Sequence, residues 1–279
     1  MFTKEESMLL TMAKPSESAD LDTLQVRFGL FKPKLEFEII VGNFLIRTAR
    51  TAADLKGVVQ MRQHSFLEDF LPNQQYADFD FDDYDVRADH ILVKHVPSGE
   101  VIGSYRIICT LFSDKFYNFE EFNIDGLLKK PGVKVELSRA CIHKNYRNGS
   151  TLNLVWRGIS QYVKAVNAQY IFGCSSVKSI SPRLCQSMFW QLYPMFYTDV
   201  YSISVLPQFQ FNQTIEEKDI LPMEVVDEQI PPLLKSYLKA GAKICSAPAL
   251  DMAFRCVDFL TVLDLNEVTD SYRKRYFSR

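Results

Sequence analysis

Between Val133 and Val166 the chain reads as a strand, a tight loop and a helix. VKVELSRACI is the strand. Lys144 to Ser150, with Asn148-Gly149 inside it, is the loop. Leu152, Val155, Trp156, Ile159, Val163 and Val166 then recur at helical spacing. This order is restrictive, because the apolar helix face must cover a sheet that contains the strand. It also leaves a helix N-terminus after a glycine-bearing turn. Unpaired backbone N–H groups and the positive end of the helix dipole make such a terminus a ready anion site. Taken alone the pattern is weak, since many such turns bind nothing.

The remaining elements fit around it. FLIRTA reads as a strand, and Asp54 to Phe70 as an amphipathic helix carrying Leu55, Val58, Val59, Met61 and Arg62. After an acid-rich loop, DFDFDDYDVRAD, the strands HILVKHV and VIGSYRIICTL are joined by a Pro97-Ser98-Gly99 turn, a hairpin signal. Phe116 to Leu128 suggests a short helical insertion, YIFGCSSV a strand, Pro182 to Leu192 a helix, Leu233 to Ala240 another and DFLTVLDL a final strand. The expected fold class is α+β, a central mixed sheet flanked by helices. Residues 1–42 read as an N-terminal extension and 43–279 as one domain.

Composition excludes several functions. A net charge of −2 and a pI near 6.1 give no basis for bulk nucleic-acid binding. The six cysteines include no C-x-x-C pair and no zinc spacing, so reduced thiols and no metal site are expected. The N-terminus carries Glu5 and Glu6 and lacks the apolar run of a signal peptide, and no window reaches the roughly 18 apolar residues of a membrane span. A cytoplasmic protein is expected, with weak peripheral attachment to the inner face of the membrane through Phe28, Leu30 and Phe31 beside Lys32 and Lys34.

Four motifs in order carry a family resemblance: R-x-x-x-F (Arg62, Phe66), D-x-D-x-Y-D (Asp80, Asp82, Tyr84, Asp85), G-S-Y-R-I (103–107) and E-L-S-R-A-C-I-H (136–143). Together they resemble the acyl-homoserine-lactone synthases and the N-acyl amino acid synthases. N-Y-R-N-G-S at 145–150, W-R-G-I at 156–159, F-G-C-S-S at 172–176 and the tail from about 201 are similar to the L-ornithine Nα-acyltransferase branch, whose members are often labelled hemolysins. A pore-forming role finds no spanning segment or barrel-like alternation in this sequence. The resemblance implies a GNAT-like acyltransferase fold, an acyl carrier protein as donor partner and a small amino acid, L-ornithine, as acceptor. No cofactor would be bound permanently; the carrier's phosphopantetheine would be the donor arm, bearing a (3-hydroxy)fatty acyl group. After Arg147 the loop departs from the R-x-x-G-x-G/A pattern of coenzyme A-dependent relatives, having its glycine one position early. That departure suits the single phosphodiester of a carrier better than a pyrophosphate.

Thioester aminolysis needs alignment, a neutral amine and a stabilised oxyanion more than it needs many catalytic groups. Cys141, Ile142, Arg147, Asn148, Gly149, Ser150 and Thr151 are the expected donor-binding residues, with an N–H near Cys141 or Ile142 facing the thioester oxygen. Arg62 and Arg106 lie among apolar neighbours, where an arginine without a partner is costly. An ion-pair network of Arg62, Arg106, Asp82, Asp85 and Glu136 would satisfy them, locking the acidic loop, binding the acceptor, or both. Arg62, Arg106, Ser138 and Arg139 are the expected acceptor-binding residues. Glu136, Asp82 and Asp85 are the expected catalytic residues, with Glu136 first as proton acceptor. The rival readings are an acyl-homoserine-lactone synthase or other N-acyl amino acid synthase, and a carrier- or membrane-binding module that has lost activity.

Overall fold

The computed structural model describes residues 26–70 and 80–277; the side chains of residue 64 and residues 66–70, Phe66 of the first motif among them, lie outside the description. In chain order the main elements are β1 (Glu38–Val41), β2 (Phe44–Thr48), α1 (Ala52–Phe70), α2 (Asp83–Arg87), β3 (Asp89–His95) and β4 (Val101–Cys109). β5 (Phe122–Asn123), α3 (Asp125–Leu128), β6 (Val133–Ile142), α4 (Gly149–Ala165) and β7 (Ala168–Val177) follow. The last part holds α5 (Pro182–Phe196), β8 (Ser204–Val205), α6 (Met223–Asp227), α7 (Pro232–Ala240), β9 (Lys243–Ile244), β10 (Ala249–Asp251) and β11 (Cys256–Asp264).

The main sheet runs β1-β2-β3-β4-β6-β7-β11-β10, with β9 also on β11. β6 and β7 pair in parallel, and the other pairs are antiparallel. Strand alternation divides the core. Ile91 and Val93 pack with Val155, Ile159 and Val163 of α4, while Leu92 between them joins Leu55, Val58 and Val59 of α1 on the other face. α4 starts where Asn148 accepts a hydrogen bond from the Thr151 N–H at 3.0 Å, and α5 where Ser181 caps and Pro182 sets the first turn.

Three regions differ from the sequence reading. Residues 26–42 are built into the fold: β1 pairs with β2, the Lys34 N–H donates to Asp89 Oδ1, and Phe28 stacks on Phe81 with centroids 4.6 Å apart. Phe28 and Phe31 are buried in the core, which removes them from the expected membrane contact and leaves Leu30 exposed. The helical insertion at 116–128 is a 3₁₀ turn, a two-residue strand and one helical turn, because Phe122 pairs with Val205 from the C-terminal part. The acidic loop contains a helix, α2, since Asp82 and Asp85 close a capping box at its start.

The feature that positions everything else is a fork. β6 and β7 pair from Val133↔Ala168 to Glu136↔Phe172 and then part. β6 continues beside β4 to Gly103↔Ile142, and β7 beside β11 to Val257↔Val177. Just past the last pair, a Cβ on Gly173 would lie 2.1 Å from the Leu137 carbonyl oxygen, so only glycine fits. Within β6, Arg139 and Ala140 together oppose Tyr105, and Arg139 takes φ 51°, a β-bulge that turns the strand at the fork.

Gly173→Ala is therefore expected to destabilise the protein by at least the roughly 1–3 kcal/mol of an overpacked core, read as a melting temperature several degrees lower. An unchanged melting temperature would show that the fork does not need this close approach.

Candidate active site

Two cavities open at the fork and share a border at Ala140 and Leu233. The larger, about 560 Å³, is lined mainly by apolar groups, including Tyr105, Leu152, Val155, Pro231 and Pro232, and reaches Arg147, Asn148 and Gly149 at the α4 N-terminus. The smaller, about 150 Å³, brings charged groups together among apolar ones: Ser138 and Arg139 from β6 meet Glu121, Asp251 and Asp258, with Leu233 and Phe254 beside them. The start of α7 borders both cavities through Leu233, and the helix is tied down by Tyr105 Oη to Tyr237 Oη at 2.5 Å and by Trp156 Nε1–H donating to Ser236 Oγ at 3.2 Å.

The structure brings together the arginines and aspartates that the sequence grouped. Arg62 donates from both Nη atoms to Asp85 at 2.8 Å each. Arg106 Nη1 donates to Asp82 at 2.7 and 2.8 Å and lies 3.3 Å from Asp85 Oδ1; its Nε–H donates to Ser138 Oγ at 2.9 Å. Asp80 approaches Arg62 Nε at 2.6 Å, and Arg139 lies 3.4 Å from both Asp80 and Asp82. Burial alone would push the Asp85 carboxyl up, but Arg62 and Arg106 hold it well below the usual carboxylate range. His90, its Nε2 at 2.8 Å from the Asp85 carbonyl, is pushed down to about 4 by burial and is neutral. The aromatic ring of Tyr117 lies between two guanidinium groups, 4.8 Å from Arg106 and 4.6 Å from Arg139.

This network staples α1 and α2 onto β4 and β6. Arg62, Arg106, Asp82 and Asp85 line neither cavity, whereas Ser138 and Arg139 line the small one. Of the expected donor residues, Cys141, Ile142, Arg147, Asn148 and Gly149 line the large cavity. Ser150 and Thr151 stand behind it, their hydroxyls donating to the Asn148 side chain.

Glu136 departs from its expected role. It is fully buried, borders neither cavity and is not part of the ion-pair network. Its carboxylate instead accepts from the Tyr117 N–H at 2.9 Å, the Asn118 N–H at 2.8 Å and Asn118 Nδ2–H at 2.6 Å. A fully buried carboxylate that accepts three N–H donors holds the 3₁₀ turn in place and opens onto neither cavity. Burial raises it and these donors lower it again, with the rise prevailing.

The sequence reading missed Glu121, Asp251 and Asp258. The available signal was the one that exposed the arginines: Asp258 stands in an otherwise apolar strand, CVDFL, where a charge is costly without a partner. Burial, reinforced by Asp258 and Asp251, pushes Glu121 up to about 9; burial also pushes Asp258 up to about 6.

Two outcomes follow. Glu136→Gln turns an amide N–H toward backbone donors, so the melting temperature falls while the pH–rate profile of the folded protein keeps its shape; a lost acid limb would return Glu136 to the chemistry. Glu121 binds its proton more tightly folded than unfolded, so its contribution to stability falls as pH rises from about 4.5 to about 9. Melting temperature against pH should show that decline, and Glu121→Gln should flatten it.

Residues 61–157, from the Arg62 region through the first half of α4, match the Acetyltransferase (GNAT) domain family. Among solved structures, an N-acyl amino acid synthase from uncultured soil microbes superimposes with a TM-score of 0.45 at 8% identity, covering 84% of this chain and 95% of its own. The L-ornithine Nα-acyltransferase of Rhizobium meliloti is 26% identical over 277 residues, 92% of each chain. The enzyme of the same name from Agrobacterium fabrum is 27% identical over 256 residues, 85% of this chain and 86% of its own. With a GNAT domain at its centre and relatives that span most of its length, this chain has a GNAT-like fold and is similar to the L-ornithine Nα-acyltransferases.

Proposed function

We propose that the protein transfers a fatty acyl group from the phosphopantetheine thioester of an acyl carrier protein to the α-amine of an amino acid, with L-ornithine as acceptor and a lyso-ornithine lipid as product. The observation that carries this reading is the meeting of two unlike cavities at Ala140. An apolar groove of about 560 Å³ is within the range of ligand pockets, and burying an acyl chain there contributes about 0.8 kcal/mol per methylene. The small charged cavity beside it suits a zwitterionic acceptor. The printed names of the relatives support ornithine.

In this arrangement the carrier's phosphodiester lies at the α4 N-terminus beside Arg147, where backbone N–H groups and the helix dipole favour an anion. Beyond the fork β6 has β4 on one edge and no ladder partner on the other among the described residues, so its backbone can bind the amides of the pantetheine arm. The His143 N–H donates toward β4, to the Ile102 carbonyl, so alternation turns Ile142 away from β4. The Ile142 carbonyl indeed accepts from Arg147 Nε–H at 3.0 Å. The Ile142 N–H is then the donor available to the thioester oxygen.

The α-amine, neutral and entering from the small cavity, attacks the thioester carbonyl carbon. A C–N bond forms, the oxyanion is held at the fork, and its collapse breaks the C–S bond. The amine's proton passes to water and the departing thiolate regains one. Glu136 takes no part, for the geometric reason above; Arg62, Arg106, Asp82 and Asp85 hold the wall that presents Ser138 and Arg139.

The test is donor choice. With matched acyl groups, acyl carrier protein should outperform coenzyme A, and added salt should slow the carrier reaction through the exposed basic residues Lys144, Arg147, Arg157 and Lys164. Arg147→Ala should raise KM for the carrier about 10- to 100-fold, the loss of one charge-assisted contact. Equal or better turnover with acyl-coenzyme A overturns the carrier reading.

A further inference from the structure

We propose that Glu121, Asp251 and Asp258 form a receptor for the side-chain ammonium of a dibasic amino acid, so that the protein selects diamino acids over neutral amino acids of the same length. This rests on the small cavity being the acceptor site. Three separate elements supply the carboxyl groups: the turn after the 3₁₀ helix, the end of β10 and the start of β11. They are exposed by only 6, 7 and 5%, and all three line the cavity.

Their protein partners leave the set incomplete. Asp251 Oδ1 accepts from the Ala253 and Phe254 N–H groups at 2.8 and 3.0 Å, and Asp258 Oδ1 from Ser176 Oγ at 2.5 Å. Glu121 shares a hydrogen bond with Asp258, and its buried Oε2 has no N–H or O–H partner from another side chain or the backbone among the described residues. Among the described residues, the only cationic side chain lining the cavity is Arg139, which lies on β6 and also approaches Asp80 and Asp82. β6 and β11 lie on either side of β7, so Arg139 enters the cavity from one side of the fork and Asp251 and Asp258 from the other.

That division matches one kind of ligand. A carboxylate fits Arg139 and Ser138, an ammonium fits the acidic wall, and the α-amine between them lies toward Ala140 and the acyl groove. An ammonium has three donors and no acceptor, which suits a ring of acceptors. Burial and the neighbouring Asp258 and Asp251 raise Glu121, while Arg139 lowers it, so the unliganded pocket keeps a proton that a bound ammonium replaces. A divalent cation is the competing occupant, because Asp251, Cys256 and Asp258 bring donor atoms within 4.8 Å of one another. The ammonium accounts for the third carboxyl, Glu121, which lines the same cavity and stands outside that trio.

The experiment is calorimetric titration of the full chain, without donor, with L-ornithine and with L-norvaline, which has the same carbon chain and no second amine. Ornithine should bind about 10- to 100-fold more tightly. Glu121→Gln and Asp258→Asn should each remove most of that difference while leaving norvaline binding unchanged. Their melting temperatures at pH 8 should equal or exceed that of the original protein, since each removes a repelling carboxyl, which excludes misfolding as the cause. Equal affinity for the two amino acids, unchanged ornithine affinity in both variants, or tight zinc binding that the variants lose while ornithine does not bind would each overturn the receptor. Acyl-transfer assays separate the two ideas. A protein that binds ornithine selectively and acylates no amine keeps the receptor and loses the proposed reaction. One that acylates both amino acids equally keeps the reaction and loses the receptor.

Discussion

Pairing between β6 and β7 stops after Glu136 and Phe172, although both strands continue for several residues. Both cavities open around that interruption. Two strands that stay hydrogen-bonded to their outer neighbours but not to each other leave a wedge in the middle of a sheet, where that edge of β6 has no neighbouring strand among the described residues. Leaving backbone groups buried and unpaired would be costly, so the wedge suits a ligand that brings its own amides. The close approach at Leu137 and Gly173 sets where it opens, and the bulge at Arg139–Ala140 sets how β6 turns there.

The buried ion pairs serve this wedge indirectly. Arg62 and Arg106 sit at 0 and 1% exposure, where each guanidinium is tolerable only with its carboxylates in place. Asp85 bridges them, Asp82 also caps α2, and Ser138 carries the network onto β6. One set of contacts therefore fixes α1, α2, β4 and β6 together. Asp82 and Asp85, grouped by their motif, line neither cavity and hold the strands that carry Ser138 and Arg139.

Much of this was legible beforehand. The strand–loop–helix at 133–166, the hairpin of β3 and β4 and the helix before them follow from apolar periodicity, which needs only local spacing. The partnership of Arg62 and Arg106 with Asp82 and Asp85 follows from the cost of burying a lone charge. Glu136 illustrates the limit. Its place in a strand motif was clear, but the donors that hold it come from a segment 18 or 19 residues earlier, and nothing in the strand reveals them.

The sequence by itself determined the elements, the fold class and the charges that had to be paired, because these depend on periodicity and on the cost of burial at each residue. Only the tertiary structure decided which charged groups share a cavity. Arg139, Glu121, Asp251 and Asp258 are spread over 138 positions of the chain and meet because β6, β7, β11 and β10 are neighbours in the sheet. Strand order is set by long-range packing and by how the C-terminal part packs beside the fork. No local pattern encodes it, so the acidic wall was invisible until the sheet was assembled.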